Sequence, residues 1–428
     1  MYKIHSVKID NFWHRFNASG EFNEDVNIII GRNGTGKTTF MNILHSVLTV
    51  DVDGISANDF DSVAITLIKD GKTKTVKVEK IDNDNLPFLT MVYRISNKKY
   101  NVRIFPIEDQ RMISHYRRRS MEESEEVREE LSKLVALSSL SVYRLRSGQD
   151  YEVRDKHGRK AVSPVDSMLS ELLQRLTHYQ LDLSQRARSI ATQLQRDVLT
   201  SILYNKDEST QKDIPLDFDK KVERDNLVSA YGQLNVIDVS VRKKISIHVD
   251  AIDKTVKELT AYRDSDKNAS KKSPIKFNLA LQSLEALQQT RKIIKMSLDA
   301  KIETSAVFSQ ITLFTDILSE FIIDKEFSFL HGDLRIRAHD EDIHYDGLSS
   351  GEKQLLIIFI ETLLQKQERY IFLTDEPELS LHIAWQRKII PAIKKLNPNA
   401  QVIAATHSPE VASKYKSSII DMEELIDG

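Results

Sequence analysis

The sequence predicts an α/β fold interrupted by a long helical insertion, and three observations predict it. Val26-Asn27-Ile28-Ile29-Ile30 is an apolar run that enters a glycine loop, after which Phe40, Ile43, Leu44, Val47 and Leu48 recur at helical spacing. That is strand, loop and helix in succession. Toward the other end strand-like and helix-like segments alternate again, the pattern of a parallel sheet. Between these halves, residues from about 114 to 323 carry chiefly three- and four-residue apolar spacing.

Taken in order, Lys3 to Ile9 alternates as a half-buried strand, and Val26 to Ile30 reads as a strand buried on both faces. Val63 to Ile68, Thr75 to Val78, Leu89 to Tyr93 and Val102 to Phe105 are short strands separated by Asp, Gly and Asn turns. They predict an antiparallel sheet within a first lobe, 1–113. From about Ser114 the texture changes, with Arg117-Arg118-Arg119 followed by Glu122-Glu123-Ser124-Glu125-Glu126 and a helix to about Leu137. Leu140 to Leu145 reads as a strand, and Asp155-Lys156-His157-Gly158 as a hairpin turn. Pro164 opens a helix in which Leu169, Leu172, Leu176, Leu183, Ala187, Ile190 and Leu194 keep a mostly heptad rhythm, with a polar gap at Gln180. The polar stretch Asn205 to Asp213 breaks it, and helices are expected over about 227–263 and 277–323. The second part, 114–323, is therefore a helical, partly coiled-coil insertion. The third, 324–428, holds a hairpin (Phe327 to Leu330, Leu334 to Arg337), a helix from Glu352, a strand at Tyr370 to Leu373, a helix near Ile383 to Leu396 and a strand at Val402 to Ala405.

A chain of 428 residues with 40% hydrophobic content can bury a core in two or three domains. Its formal charge of −2, from 61 basic and 63 acidic residues, creates no global field for nucleic acid or an anionic membrane. The absence of cysteine excludes disulfides, thiolate zinc sites and a thiol nucleophile. The first residues start no secretory signal, and the longest apolar run, Leu355 to Ile360, falls far short of the roughly 18 residues that span a bilayer. A cytoplasmic location without membrane contact is expected.

The glycine loop fits G-x-x-x-x-G-K-[ST] from Gly31 to Thr38. Polyphosphate needs several convergent N–H donors, and Gly34 and Gly36 let the backbone fold back where a Cβ would obstruct it. Lys37 supplies a point charge for the β- and γ-phosphates, Thr38 a hydroxyl for Mg²⁺, and the helix N-terminus a partial positive charge. The nucleotide-contacting set is Arg32, Asn33, Gly34, Thr35, Gly36, Lys37, Thr38 and Thr39. A second metal partner is expected at the carboxyl end of an apolar strand. Ile371-Phe372-Leu373-Thr374-Asp375-Glu376 supplies Asp375 for Mg²⁺ and, one step on, Glu376 as general base for water. His407, in Thr406-His407-Ser408 after the next apolar strand, is placed to donate to the γ-phosphate. Ser349, Ser350, Gly351 and Glu352 precede an apolar helix, where serine and glycine amides form an anion site; Ser349-x-x-Glu352 also fits a capping box.

The order GRNGTGKT, LSSGEKQ, FLTDEPELSLH and THSP resembles the ABC-type ATPase superfamily, in the branch containing SMC, RecF and the OLD-like ATPases. The phrase DEPELSLH looks closest to the OLD-like group of bacterial anti-phage systems. The resemblance implies an ABC-ATPase head, a mixed-sheet P-loop core with an antiparallel β lobe, that carries a coiled-coil insertion. It implies ATP and Mg²⁺ as cofactors, and two heads meeting head to tail, with Ser349, Ser350 and Gly351 of one subunit capping the nucleotide of the other. Leu379 to His382 would form the D-loop. Arg15 resembles an arginine that approaches nucleotide in this branch. Gln110 is a candidate Q-loop residue, on nucleotide and metal, although the segment with Arg146 and Gln149 could occupy that position instead. The wide interval from Lys37 to Ser349 resembles the SMC-like branch, yet the insertion is too short for a full SMC arm. With the chain ending soon after His407, the C-terminal nuclease of OLD proteins is expected to be missing, as in the stand-alone defence ATPases of the PARIS (AriA) and Septu (PtuA) systems.

Three functions are compatible with these readings. In the first, ATP binding and slow hydrolysis control self-assembly and the holding or release of a separate effector, a nuclease or toxin, on a phage-derived trigger. In the second, a RecF-like repair ATPase takes DNA as its regulated ligand through Arg111 and Arg117 to Arg119, or Lys267, Lys271, Lys272 and Lys276. In the third, the insertion is a scaffold and the ATP site is structural; the intact Glu376 argues against it.

Overall fold

The computed structural model describes residues 1–81, 89–104, 113–139, 151–155, 158–201, 218–234, 236–265, 274–379 and 381–427. The chain begins with β1 (Lys3–Phe12), β2 (Phe16–Glu21) and β3 (Val26–Ile30), then α1 (Lys37–Thr49) and α2 (Val52–Ala57). There follow β4 (Ser62–Lys69), β5 (Lys72–Ile81), β6 (Leu89–Ile95), β7 (Lys98–Ile104), α3 (Ile113–Leu134) and β8 (Leu137–Ser139). The hairpin β9 (Tyr151–Asp155) and β10 (Gly158–Val162) precedes four helices: α4 (Pro164–Ser201), α5 (Lys220–Gln233), α6 (Val239–Ser265) and α7 (Pro274–Phe321). The remainder is β11 (Glu326–Leu330), β12 (Asp333–Ala338), β13 (Glu341–Ile343), α8 (Ser350–Leu364), β14 (Ile371–Asp375), α9 (Ile383–Gln386), α10 (Ile389–Leu396), β15 (Gln401–Ala405), α11 (Pro409–Ala412), β16 (Ile419–Asp421), α12 (Met422–Leu425) and β17 (Ile426–Asp427).

By contact the chain divides into two compact units, Met1–His178 with Leu313–Gly428, and Tyr179–Thr312. The larger unit holds a seven-stranded sheet in the order β17-β2-β1-β4-β5-β6-β7, antiparallel throughout, and a five-stranded sheet in the order β16-β3-β15-β14-β8, parallel throughout. Parallel strands have both faces covered, which is why β3, β14 and β15 are almost wholly buried apolar runs without alternation. Helix α1 contributes Phe40, Met41, Ile43, Leu44, Val47 and Leu48 to one cluster with Ile4, Val7 and Ile9 of β1 and with Ile29, Ile371, Leu373 and Ile403 of the parallel sheet. Its apolar faces thus join the two sheets.

A buried amide adds to this join. Gln401, fully buried at the start of β15, accepts from the Ile4 N–H at 2.8 Å and donates to the carbonyls of Ile4 and Asn23, both at 2.7 Å. Asn27 inside β3 is also fully buried, satisfied by a reciprocal pair of bonds with Asn23. Gln401 and Asn27 are therefore saturated rather than misplaced, whereas the Thr374 hydroxyl in β14 is buried with no hydrogen-bond partner among the described residues.

The smaller unit is helical. Leu227, Ile245, Val249 and Ile294 form one apolar cluster of α5, α6 and α7, and Ile252, Val256 and Leu287 a second. Asp219 caps α5 by accepting from the N–H groups of Lys221 and Val222.

The antiparallel sheet, the Asp155–Gly158 hairpin, the opening of α4 at Pro164 and the hairpin β11–β12 lie where the sequence places them. Several boundaries differ. A strand, β2, begins at Phe16, and its alternation of small and polar residues is too weak to read. The helix expected over 227–263 is two helices, broken between Gln233 and Val239, and the one expected near 383–396 breaks at Arg387-Lys388. Leu137–Ser139 is the strand that pairs with β14, while Leu140 to Leu145 lies outside the described residues. The contact units also divide at 178/179 and 312/313 rather than at the texture changes near 114 and 323. There is no division near 114 because α3 packs on β7 and its residues Val127, Leu131 and Leu134 join the large core.

Removing the Gln401 amide takes a buried partner from the Ile4 N–H and from the Ile4 carbonyl, while the Asn23 carbonyl keeps the Asn27 amide. The variant Gln401→Ala is expected to lose about 2–3 kcal/mol in urea unfolding, against a change within experimental error for Lys414→Ala on the surface.

Candidate functional site

The site forms where β3, β14 and β15 end side by side. Their parallel register pairs Asp375 with Ala405 and Ala405 with Ile29, so the loops that leave these strands emerge together. This is the edge at which ligands of parallel sheets collect, outside the carboxyl ends.

The loop from β3 reaches α1 through Gly36, whose φ of 90° lies in the left-handed region. A Cβ there would meet the Phe12 and Trp13 rings at 2.9 Å. Glycine is thus required by conformation and by the β1–β2 turn packed on the loop. With Gly36 at its N-cap, α1 has no side-chain cap and no acid in its first turn, so its first amides are left for an anion. The Lys37 ammonium donates to the carbonyls of Gly31 at 2.8 Å and Arg32 at 2.9 Å. Burial lowers its pKa, against the opposing pull of Asp375, Glu376 and Asp421.

Thr38 donates its hydroxyl to Asp375 Oδ2 at 2.7 Å. Two hard oxygen donors at the mouth of the loop suit Mg²⁺, which binds through one or two protein oxygens and leaves its other positions to phosphate and water. Glu376 follows at a φ of 48°, uncommon for a residue with a side chain, and its N–H donates to Ala405 O at 2.8 Å. The Glu376 carboxylate and the His407 imidazole lie 3.9 Å apart, each about one-third exposed. Both are therefore open to a ligand while remaining close to each other.

Ser349 caps α8 in a full capping box. Its hydroxyl accepts from the Glu352 N–H, and Glu352 Oε2 accepts from the Ser349 N–H at 2.8 Å. Ser349 and Ser350 are exposed, whereas Glu352 is buried and paired with Lys325 at 2.6 Å. The next residue, Lys353, reaches Asp166 in the first turn of α4 at 2.7 Å. The anion-site and capping-box readings of this turn are compatible: Glu352 and the Ser349 hydroxyl organise it, and both serines remain exposed to solvent.

Among the expected residues, the structure brings together Lys37, Thr38, Asp375, Glu376 and His407. Arg15 is exposed in the β1–β2 turn with its guanidinium 5.3 Å from the Phe16 ring centre, and its N–H donates to Phe12 O. Arg32 is exposed and 3.8 Å from Glu423. Gln110, Arg146 and Gln149 lie outside the described residues, as does Ser380 of the D-loop segment. Sequence reasoning passed over Gln354, which donates to Pro377 O at 3.2 Å, and Asp421, which reaches Lys37 electrostatically from the last strand of the parallel sheet. Neither carries a local signal, since a Gln inside an apolar helix and an Asp near the end of the sequence look ordinary. A third is Glu378, whose carboxylate lies beneath the His407 turn.

A glycine loop with its lysine, closed by a strand-end acid on the threonine hydroxyl, defines a P-loop ATPase site. The chain belongs to the AAA ATPase domain family, whose model matches residues 2–412. The resemblance to the defence-associated ATPases is borne out by three curated relatives. The Septu protein PtuA of Bacillus thuringiensis is 34% identical over 92 residues, 18% of this chain and 23% of that one. The Retron Ec83 probable ATPase of Escherichia coli is 30% identical over 159 residues, 32% and 28% of the two chains. The Retron Vc95 probable ATPase of Vibrio cholerae serotype O1 biovar El Tor is 32% identical over 108 residues, 23% and 21% of the two chains. The aligned segments thus span less than a third of each relative. Among solved structures, the Smc head domain of Pyrococcus furiosus, bound to the C-terminal domain of ScpA, aligns over 98% of this chain and 93% of that one at 12% identity and a TM-score of 0.41. No helix among the described residues is long and apolar enough to cross a membrane.

Burial raises the Glu352 pKa, but the Lys325 ammonium and the Ser349 donors outweigh it and hold the carboxyl below its ordinary value. A lowered carboxylate pKa contributes stability that is present above the ordinary range and lost as pH falls through the lowered value. Thermal melting followed from neutral pH to pH 3 is expected to fall more shallowly in Glu352→Gln than in the wild type. Lys325→Ala, which strands a buried carboxylate, is expected to cost about 3 kcal/mol at neutral pH.

Proposed function

We propose that this chain is the ATP-hydrolysing switch subunit of a bacterial anti-phage defence system. Binding of Mg-ATP drives head-to-tail assembly of at least two copies, and the nucleotide state sets whether a separate effector, a nuclease or toxin, is held or released. The observation that carries this reading is the convergence of Thr38 on Asp375 beside the Glu376–His407 pair, at the mouth of a loop whose helix N-terminus is uncapped. A merely structural nucleotide site has no need of a carboxylate placed to polarise water.

In this reading Lys37 exchanges two loop carbonyls for phosphate oxygens, and the loop amides and the first turn of α1 surround the remaining charge. Thr38 and Asp375 hold Mg²⁺, which would neutralise phosphate charge. Glu376 takes a proton from the attacking water, and His407 donates to the γ-phosphate oxygens, so that ATP and water give ADP and phosphate. The exposed Ser349 and Ser350, with Gly351, cap the nucleotide of a second copy, which makes each site complete only in the assembly. The similarity to PtuA and to two retron ATPases supports a defence role, and the near-neutral charge gives DNA no comparable support.

Glu376→Gln keeps the shape of the site and removes the base. It is expected to bind ATP with wild-type affinity, to lose about 100-fold or more in turnover, and to accumulate as an assembled species in native mass measurement with ATP. Turnover at the wild-type rate would exclude Glu376 as the base. An unchanged mass on adding ATP, for this variant and for the wild type, would exclude the assembly.

A further inference from the structure

Three acids lie at and just beyond the end of β14 in Asp375-Glu376-Pro377-Glu378, and the third is buried where the first two are partly open. Glu378 is 9% exposed and has no cation within ion-pair distance among the described residues. One oxygen, Oε1, instead collects three donors from the neighbouring loop: the Thr406 hydroxyl at 2.5 Å, the His407 N–H at 3.2 Å and the Ser408 N–H at 3.3 Å. Its other oxygen, Oε2, is buried with no hydrogen-bond partner among the described residues.

These bonds are not needed to close the turn that holds them. The Ser408 N–H also donates to the Thr406 hydroxyl oxygen at 2.9 Å, and Ser408 caps α11, so residues 406–408 already have a local framework. What Glu378 adds is a link between two loops, one leaving β14 with Glu376 and the other leaving β15 with His407. On its own side the link is stiff. The Leu379 N–H donates to Glu376 O at 3.0 Å and the Leu381 N–H to Glu378 O at 2.9 Å, which locks Glu378 to the backbone of Glu376. On the other side it grips the amide of His407 itself. The 3.9 Å between the Glu376 carboxylate and the His407 ring is therefore spanned by two ties, the Glu376 N–H to Ala405 O at the strand ends and Glu378 to the His407 amide beyond them. A buried carboxylate with an unbonded oxygen is costly to keep, and this link supplies a reason to keep it.

We infer that Glu378 is the positioning residue that sets His407 against Glu376 and thereby holds the histidine in register for hydrolysis. The inference rests on the proposed hydrolytic site, and it assigns to Glu378 an action through His407 rather than contact with nucleotide. Loss of the link leaves Lys37, Thr38 and Asp375 in place, so nucleotide binding is spared while turnover falls.

The test compares Glu378→Ala, Glu378→Gln, His407→Ala and the double variant Glu378→Ala/His407→Ala in steady-state ATP hydrolysis, with ATP affinity measured by equilibrium binding. Glu378→Ala is expected to lose on the order of 100-fold in kcat, the cost of a misplaced group, with affinity within about threefold of wild type. Glu378→Gln, whose amide oxygen still accepts from the three donors, is expected to recover most of the loss. The double variant is expected to be no slower than His407→Ala alone, because the two residues act as one unit. Losses that multiply in the double variant, equal losses in affinity and kcat, or a Glu378→Gln variant as slow as Glu378→Ala would overturn the inference. An NMR comparison of the nucleotide-free proteins keeps it testable apart from hydrolysis. The His407 ring signal, identified by its absence from His407→Ala, is expected to split or broaden in Glu378→Ala and to stay single in Glu378→Gln. A single sharp signal in Glu378→Ala overturns the inference whatever the activity, whereas a wild type that does not hydrolyse ATP counts against the proposed function and leaves the NMR result to decide here.

Discussion

The hydrogen bond from Thr38 to Asp375 joins residues 337 positions apart, and the catalytic reading of this chain depends on that closure. Thr38 sits one residue into α1 and Asp375 on the last residue of β14, so their contact needs both the strand register and the helix angle to be right. The register comes from β15, which lies between β3 and β14 and pairs in parallel with both. Parallel pairing forces all three carboxyl ends to one edge, and the three loops then have to share that edge. The central strand of the site is thus late in the chain, between two strands that the insertion separates.

Holding two distant halves in one core requires apolar surface on both sides of α1. Helix α1 shares one apolar cluster with strands of both sheets, and Tyr93 of β6 donates its hydroxyl to Val47 O of the helix at 3.2 Å. Gln401 then ties the start of β15 to β1 by bonds that water cannot replace once they are buried. The same packing brings the β1–β2 turn over Gly36, so the loop conformation and the lobe that covers it depend on each other.

The Ser349 turn has the opposite design, an open face on a rigid base. Glu352, Lys325, Lys353 and Asp166 fix the N-terminus of α8 from below, while two serines remain exposed. Buried ion pairs add little net stability but specify one geometry strongly, because the alternatives strand a charge. Lys325 follows α7 and Asp166 begins α4, so the base of the turn is built from the two chain segments that lead to and from the helical insertion.

The sequence by itself determined the local elements whose signal lies in adjacent residues. The glycine loop between strand and helix, the acids at the end of an apolar strand, the Ser349-x-x-Glu352 cap and the heptad stripe from Leu169 to Leu194 each follow from spacing, and most of that stripe is buried. Only the tertiary structure decided which of these meet. Glu378 and Gln354 have no local pattern because their partners are His407 and Pro377, on other segments, and a hydrogen bond between loops leaves no periodicity in either one. The strand β2 and the break near residue 387 were likewise settled by packing, since weak alternation and a short helical run are compatible with more than one state until a neighbour buries one face.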